Sequence, residues 1–184
     1  MLSAERFVAE LEAARIGETF NQYADGPRAP LLRERLLRYL SDRADAPVLL
    51  VGEAPGYRGA RVSGIPFTSE RLLTGAGPAE ATATIVHRVL AELEIEDRVL
   101  LWNVVPTHPG TASTNRRPSR NEVFVGLSFA GRLAAGRRVV AVGRLAERAC
   151  RGVSVRHPSH GGAREFRAGL VELRDRGDLL PGSA

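Results

Sequence analysis

A chain of 184 residues, 43% hydrophobic and 26% charged, is long enough to bury a substantial core, and one domain over residues 1–184 is expected. No apolar run approaches the roughly 20 residues that span a bilayer, and the charged, amphipathic start MLSAERFVAELEAAR reads as neither secretory signal nor anchor, so a cytoplasmic protein with no membrane partner is expected. The net charge is +5 and all 26 basic residues are arginine, which excludes a Walker-type phosphate loop and lysine Schiff-base chemistry and suits a polyanionic partner.

Residues 3–15 carry apolar positions at helical spacing behind Ser3 as N-cap, and PLLRERLLRYLS (30–41) repeats that pattern with Pro30 near its start. Together they make a helical N-terminal lead over residues 1–45. APVLLVGE (46–53) is a short apolar run bounded by turn residues, which predicts a buried strand. A helical segment follows from Pro78 and Glu80 through VHRVLAELEI, and RVLLWNVVP (98–106) is the second strand. The polar stretch THPGTASTNRRP is a loop; a helix runs from Ser119 until Gly136 stops it. RRVVAVG is a third strand, RLAERACRG a short helix, VSVRHPS a fourth strand and GAREFRAGLVELRDRG a last helix. The one cysteine, Cys150, lies in that short helix; alone it excludes an internal disulfide, a cysteine-rich zinc site and a four-thiolate iron–sulfur cluster. No metal and no cofactor are expected.

Strands without polar interruption, alternating with helices, predict a three-layer α/β/α sandwich around a four-stranded parallel sheet. In such open sheets ligands bind beyond the carboxyl ends of the strands. The unusual peptides fall there: GEAPG after the first strand, NVVPTHPG after the second and HPSHGG after the fourth. In the first, Gly52 and Gly56 allow close backbone approach, Pro55 fixes the turn, and the dinucleotide pattern G-x-G-x-x-G is absent. Phe67 of GIPFTSE is either a core plug or a ring on which a flat heterocycle stacks. Asn103 offers an amide that reads the edge of a heterocycle or caps a turn, and His157 is a structural hydrogen-bonder or a catalyst. Glu53 and Glu70 are the carboxylates of this stretch.

GEAPG, GIPFTSE, LLWNVVPTHPG and HPSHGG, in this order, resemble the signature peptides of the uracil-DNA glycosylase superfamily over residues 48–167. The resemblance implies an enzyme that flips deoxyuridine out of DNA and hydrolyses its N-glycosidic bond, leaving abasic DNA and free uracil. It places Phe67 on the uracil face, Asn103 on its polar edge, and His157 on the oxygen that gains charge as the bond breaks. Ser159 and the backbone of Gly52, Glu53, Ala54, Pro55 and Gly56 would hold base and phosphate.

The departures from the pattern bear on mechanism. Ala54 stands where the best-known branch has its water-activating aspartate. Glu53 matches the GE-x-PG branches, whereas FTSE matches a branch whose carboxylate comes from that peptide. On this match Glu70 is the preferred water-activating group and Glu53 a supporting acid. Gly56 replaces an aromatic that excludes thymine's methyl group, a function Tyr57 could take over. Arg116 and Arg117 are candidate phosphate contacts, and His160 or Arg164 a candidate wedge into the gap left by the flipped base. Without lysine, a monofunctional, monomeric glycosylase using water is expected. Two other classes fit parts of the sequence: a non-catalytic binder of uracil or abasic DNA, and a Rossmann-like nucleotide-binding domain.

Overall fold

The computed structural model describes residues 3–179. In chain order it contains α1 (Ala4–Ala13), α2 (Ala29–Asp42), β1 (Val48–Gly52), two short helices α3 (Ala60–Ser63) and α4 (Glu70–Thr74), α5 (Ala81–Glu92), β2 (Val99–Asn103), α6 (Arg120–Ala134), β3 (Arg138–Val142), α7 (Arg144–Ala149), β4 (Val153–Val155) and α8 (Ala163–Asp175). The four strands form one parallel sheet in the order β2-β1-β3-β4. The chain therefore leaves β1 toward one edge and β3 toward the other, which puts the switch point, and the crevice it creates, at the carboxyl ends of those two strands.

Strand periodicity explains why the sheet is apolar on both faces. Leu49 and Val51 of β1, with Leu100 and Trp102 of β2, meet α1, α2 and α6. Val48 and Leu50, with Leu101 and the β3 residues Val140 and Val142, meet α5 and α8. The expected three-layer sandwich is what the chain forms. On the first face Phe7 of α1 packs edge-on against both Trp102 and Phe129 of α6, with ring centroids 5.4 and 5.6 Å apart. Helix starts follow their caps: the Ser3 hydroxyl accepts from the Arg6 N–H, and Ser119 and Glu122 form a reciprocal capping box at α6.

Two local differences from the sequence reading matter for the site. The stretch between Tyr57 and Gly77, to which the sequence assigns no element, contains α3 and α4, each ended by a glycine in the left-handed region (Gly64, φ 81°; Gly75, φ 77°). The second strand stops at Asn103 rather than continuing to Pro106. Beyond it the Val104 and Val105 N–H groups still donate to the carbonyls of Gly52 and Glu53, at 2.8 and 3.0 Å, so the two strand-end loops stay tied together.

The Phe7 contacts predict that α1 is an integral part of the core. Phe7→Ala should lower unfolding free energy by about 3–5 kcal/mol; denaturant titration checks this, and an unchanged midpoint would show that α1 contributes nothing to the core.

Candidate functional site: a polar cleft at the carboxyl ends of β1, β2 and β4

The cleft forms where the sheet runs out of hydrogen-bonded backbone. Its cavity, about 350 Å³, is lined by Glu53, Ala54, Pro55 and Gly56 after β1, Phe67, Glu80, Asn103 at the end of β2, Arg116, and His157, Ser159 and His160 after β4, among others. All four signature peptides contribute to this one cavity, GIPFTSE through Phe67. Tyr57, Arg117, Arg164 and Glu70 are not among the lining residues.

The base of the cleft depends on the missing side chain of Gly52. A methyl group there would collide with Cζ of Phe67 and lie 3.1 Å from Oδ1 of Asn103. Phe67, held with φ at 54°, and the Asn103 amide thus sit side by side above the last residue of β1. Asn103 is buried, and its amide makes no side-chain hydrogen bond among the described residues. A ring surface beside an unpaired amide suits a flat heterocycle with a polar edge.

The backbone contact of His157 points to one tautomer. The Ser159 backbone N–H donates to its Nδ1 at 3.1 Å, and the Ser159 hydroxyl lies 2.7 Å from the same nitrogen. A nitrogen that accepts from a backbone N–H carries no proton, so the neutral ring bears its proton on Nε2. Burial, then the neighbouring charges of Arg156 and His160, hold the pKa of His157 below its ordinary 6.5. A neutral imidazole with Nε2–H free is therefore a hydrogen-bond donor at neutral pH. Ser159, expected on DNA or base, spends its polar groups on His157 and on Nδ1 of His160, 3.0 Å away.

The carboxylates sort by their partners. Glu53 lines the cleft, and its burial raises its pKa against a weaker opposing influence from the Arg117 charge. Glu70 is elsewhere: its oxygens accept from Arg28 at 2.8 Å and from Arg35 at 2.8 and 3.1 Å, and its side chain is 13% exposed. The Arg35 and Arg28 hydrogen bonds hold it ionised below its ordinary pKa. Arg35 belongs to α2 and Arg28 is its N-cap residue, so Glu70 anchors the GIPFTSE peptide to the helical lead and does not line the cleft. Arg116, expected on phosphate, is engaged in a two-point pair with Glu122, at 2.8 and 2.6 Å. Arg117, exposed and unpaired among the described residues, remains available to solvent or a polyanion. His160, with φ at 52°, is exposed on the cleft rim, while exposed Arg164 lies in the first turn of α8 outside the lining. Tyr57 supplies its backbone N–H to Asn115 Oδ1 at 2.9 Å, and its ring lies under the Arg58 guanidinium, 5.4 Å from the ring centroid.

Two residues outside the sequence-stated candidates prove structurally prominent. His108 is fully buried, with Nδ1 2.7 Å from the Pro55 carbonyl and Nε2 2.8 Å from that of Thr111, and so clamps the GEAPG turn to the 107–115 loop. Glu80, read only as part of a helix start, directs a carboxylate into the cleft. No local pattern distinguishes it from an ordinary acid at a helix start. Among the described residues no three His, Cys, Asp or Glu side chains gather as a metal site.

Fold and cleft together define a doubly wound α/β protein with a pocket for a flat, polar ring. The model of the uracil DNA glycosylase superfamily matches residues 39–181, and the chain belongs to that superfamily, whose members are DNA glycosylases that act on uracil-containing DNA. Among solved structures, the crystal structure of wild-type SMUG2 from Pedobacter heparinus is similar with a TM-score of 0.70 and 12% identity, covering 97% of this chain and 99% of that one. No curated protein sequence matches the chain.

Two outcomes follow from the geometry. Nitrogen-15 NMR at pH 7 should show His157 neutral and protonated on Nε2, titrating below 6.5; a protonated Nδ1 would contradict the site as described. Glu122 has its pKa lowered to about 2, first by Arg116 and then by backbone N–H groups of Ser119 and Glu18. A depressed folded pKa gives stability that is present above the ordinary 4.5 and lost as pH falls toward 2. Glu122→Gln should therefore lose about 2–4 kcal/mol at pH 7 and flatten the acid limb of the stability curve, measured by denaturant titration from pH 7 to 2.5.

Proposed function

We propose that the protein is a monofunctional uracil-DNA glycosylase, acting without metal as a cytoplasmic monomer. The observation that carries the reading is the convergence, in one cleft of a superfamily member, of an aromatic face, an unpaired amide, a free imidazole N–H and an unpaired carboxylate.

In this reading a deoxyuridine leaves the duplex and its base stacks on Phe67, with Asn103 on the amide edge. Extruding a base costs a few kcal/mol, which stacking and edge contacts offset. The bond from C1′ to N1 breaks, and its electron pair passes to the departing uracil. His157 Nε2–H hydrogen-bonds the oxygen next to N1, where the negative charge collects. That contact strengthens as the bond breaks, so it lowers the barrier rather than tightening ground-state binding. Water adds to C1′ on the opposite side and its proton passes to a carboxylate.

Glu53 takes that last role in our reading. Glu70 is preferred on the motif match, but its oxygens are engaged by Arg28 and Arg35 and it does not line the cleft. Glu53 lines it, and its burial-raised pKa suits a group that must accept a proton. In this reading exposed Arg117 meets the DNA backbone and His160, which lines the cleft, fills the vacated stack. With no lysine the chain lacks the side-chain amine that strand cleavage by Schiff base requires.

Purified protein and a uracil-containing oligonucleotide, followed by alkali, should give cleavage at the uracil, and an intact strand would overturn the enzymatic reading. Borohydride should trap no covalent adduct. Glu53→Gln should slow single-turnover release by about 10²–10⁴-fold while DNA binding persists. Glu70→Gln should act mainly on thermal stability. The reverse ranking of the two variants would return the water-activating role to Glu70.

A further inference from the structure

Glu80 is the cleft carboxylate that the proposed reaction leaves unused. It stands at the N-cap position of α5 in an extended conformation (φ −125°, ψ 123°), yet its side chain caps nothing. It reaches across instead to the GEAPG turn. A methyl group added to Gly56 would collide with its Oε1, and one added to Gly59 would lie 2.6 Å from its Cδ and 2.9 Å from Oε1. The carboxyl group thus occupies the space that a side chain at position 56 would take. No donor among the described residues hydrogen-bonds to it, and burial alone raises its pKa. A carboxyl group drawn partly out of water without a partner is costly, and a ligand group that hydrogen-bonds to it removes the cost.

The cleft has three polar stations. Asn103 stands beside Phe67 above Gly52, and His157 stands against Gly143, where an added methyl would lie 3.0 Å from its Cβ. Glu80 stands above Gly56 and Gly59. A pyrimidine that gives its amide edge to Asn103 and the oxygen next to N1 to His157 has its C5 side left for the third station.

We propose that Glu80 is the specificity-determining contact for the C5 side of the base, a polar wall supplied from α5 where residue 56 has no side chain. This rests on the reading of the cleft as a uracil pocket. A hydroxyl at C5 donates a hydrogen bond to the Glu80 carboxylate. The methyl group of thymine, nearly the same size, strips water from that carboxylate and returns nothing. An apolar wall would reject the methyl by volume alone and would treat hydroxyl and methyl alike; a carboxylate separates them by chemistry.

The test measures single-turnover release of uracil, 5-hydroxyuracil and thymine from one oligonucleotide sequence by wild type, Glu80→Gln and Glu80→Ala. The expected result is a 5-hydroxyuracil-to-thymine ratio that falls at least tenfold in Glu80→Ala and more than threefold in Glu80→Gln. A merely structural Glu80 would change release of all three bases together and leave the ratio in place. Where thymine release is too slow to measure, inhibition by the free bases gives the same ratio. If Glu80→Ala does not fold, Glu80→Gln, which keeps the volume, carries the test. Ratios within threefold of wild type in every folded variant that still releases uracil would overturn the proposal alone. A wild-type protein that releases no uracil would overturn the underlying reading and the proposal with it.

Discussion

The close approach of Phe67 and Asn103 above Gly52 is the contact on which the cleft depends. Each comes from a different segment, and they meet only because the last residue of β1 presents no side chain. The register of the sheet makes the meeting possible: Gly52 pairs with Asn103 across β1 and β2, so the carboxamide emerges beside the glycine. Past that point the loops stay joined by the Val104 and Val105 N–H groups and by His108, which spans from Pro55 to Thr111. The result is a floor tied by hydrogen bonds beneath a polar cleft, which a site that reads a small ring requires.

Around that floor, arginine decides which acids are structural. Glu70 and Glu122 are each gripped by guanidinium forks and held ionised. Glu53 and Glu80 are left without such partners and carry raised pKa values. A protein whose basic residues are all arginine can lock its structural carboxylates firmly with two-point pairs. The unpaired ones that line the cleft then stand out as its chemically responsive groups.

Much of the fold was legible. The four apolar runs at Val48, Val99, Arg138 and Val153 are strands, and the long helices follow their periodicity, because burial on both faces of a parallel sheet leaves a local hydrophobic trace. The short helices α3 and α4 left none, being four and five residues held by capping glycines and by contacts distant in sequence. Within the site, Phe67, Asn103, His157 and Glu53 were legible because each belongs to a recognisable peptide at a strand end. In that light Glu70 ranked ahead of Glu53 as the water-activating group. Its partners Arg28 and Arg35 lie in the helical lead, and nothing in the intervening residues announces the pairing.

By itself, the sequence determined the layer architecture and the rim on which chemistry is gathered. These are properties of residue type and short-range period. Only the tertiary structure decided which carboxylates face the cleft. That choice turns on where α2 and the start of α5 lie against the GEAPG and GIPFTSE peptides. Side-chain direction and desolvation are set by neighbours brought together in space, so Glu70, preferred on the motif match, becomes an anchored ion, Glu53 lines the cleft, and a third acid, Glu80, enters the site from a helix start.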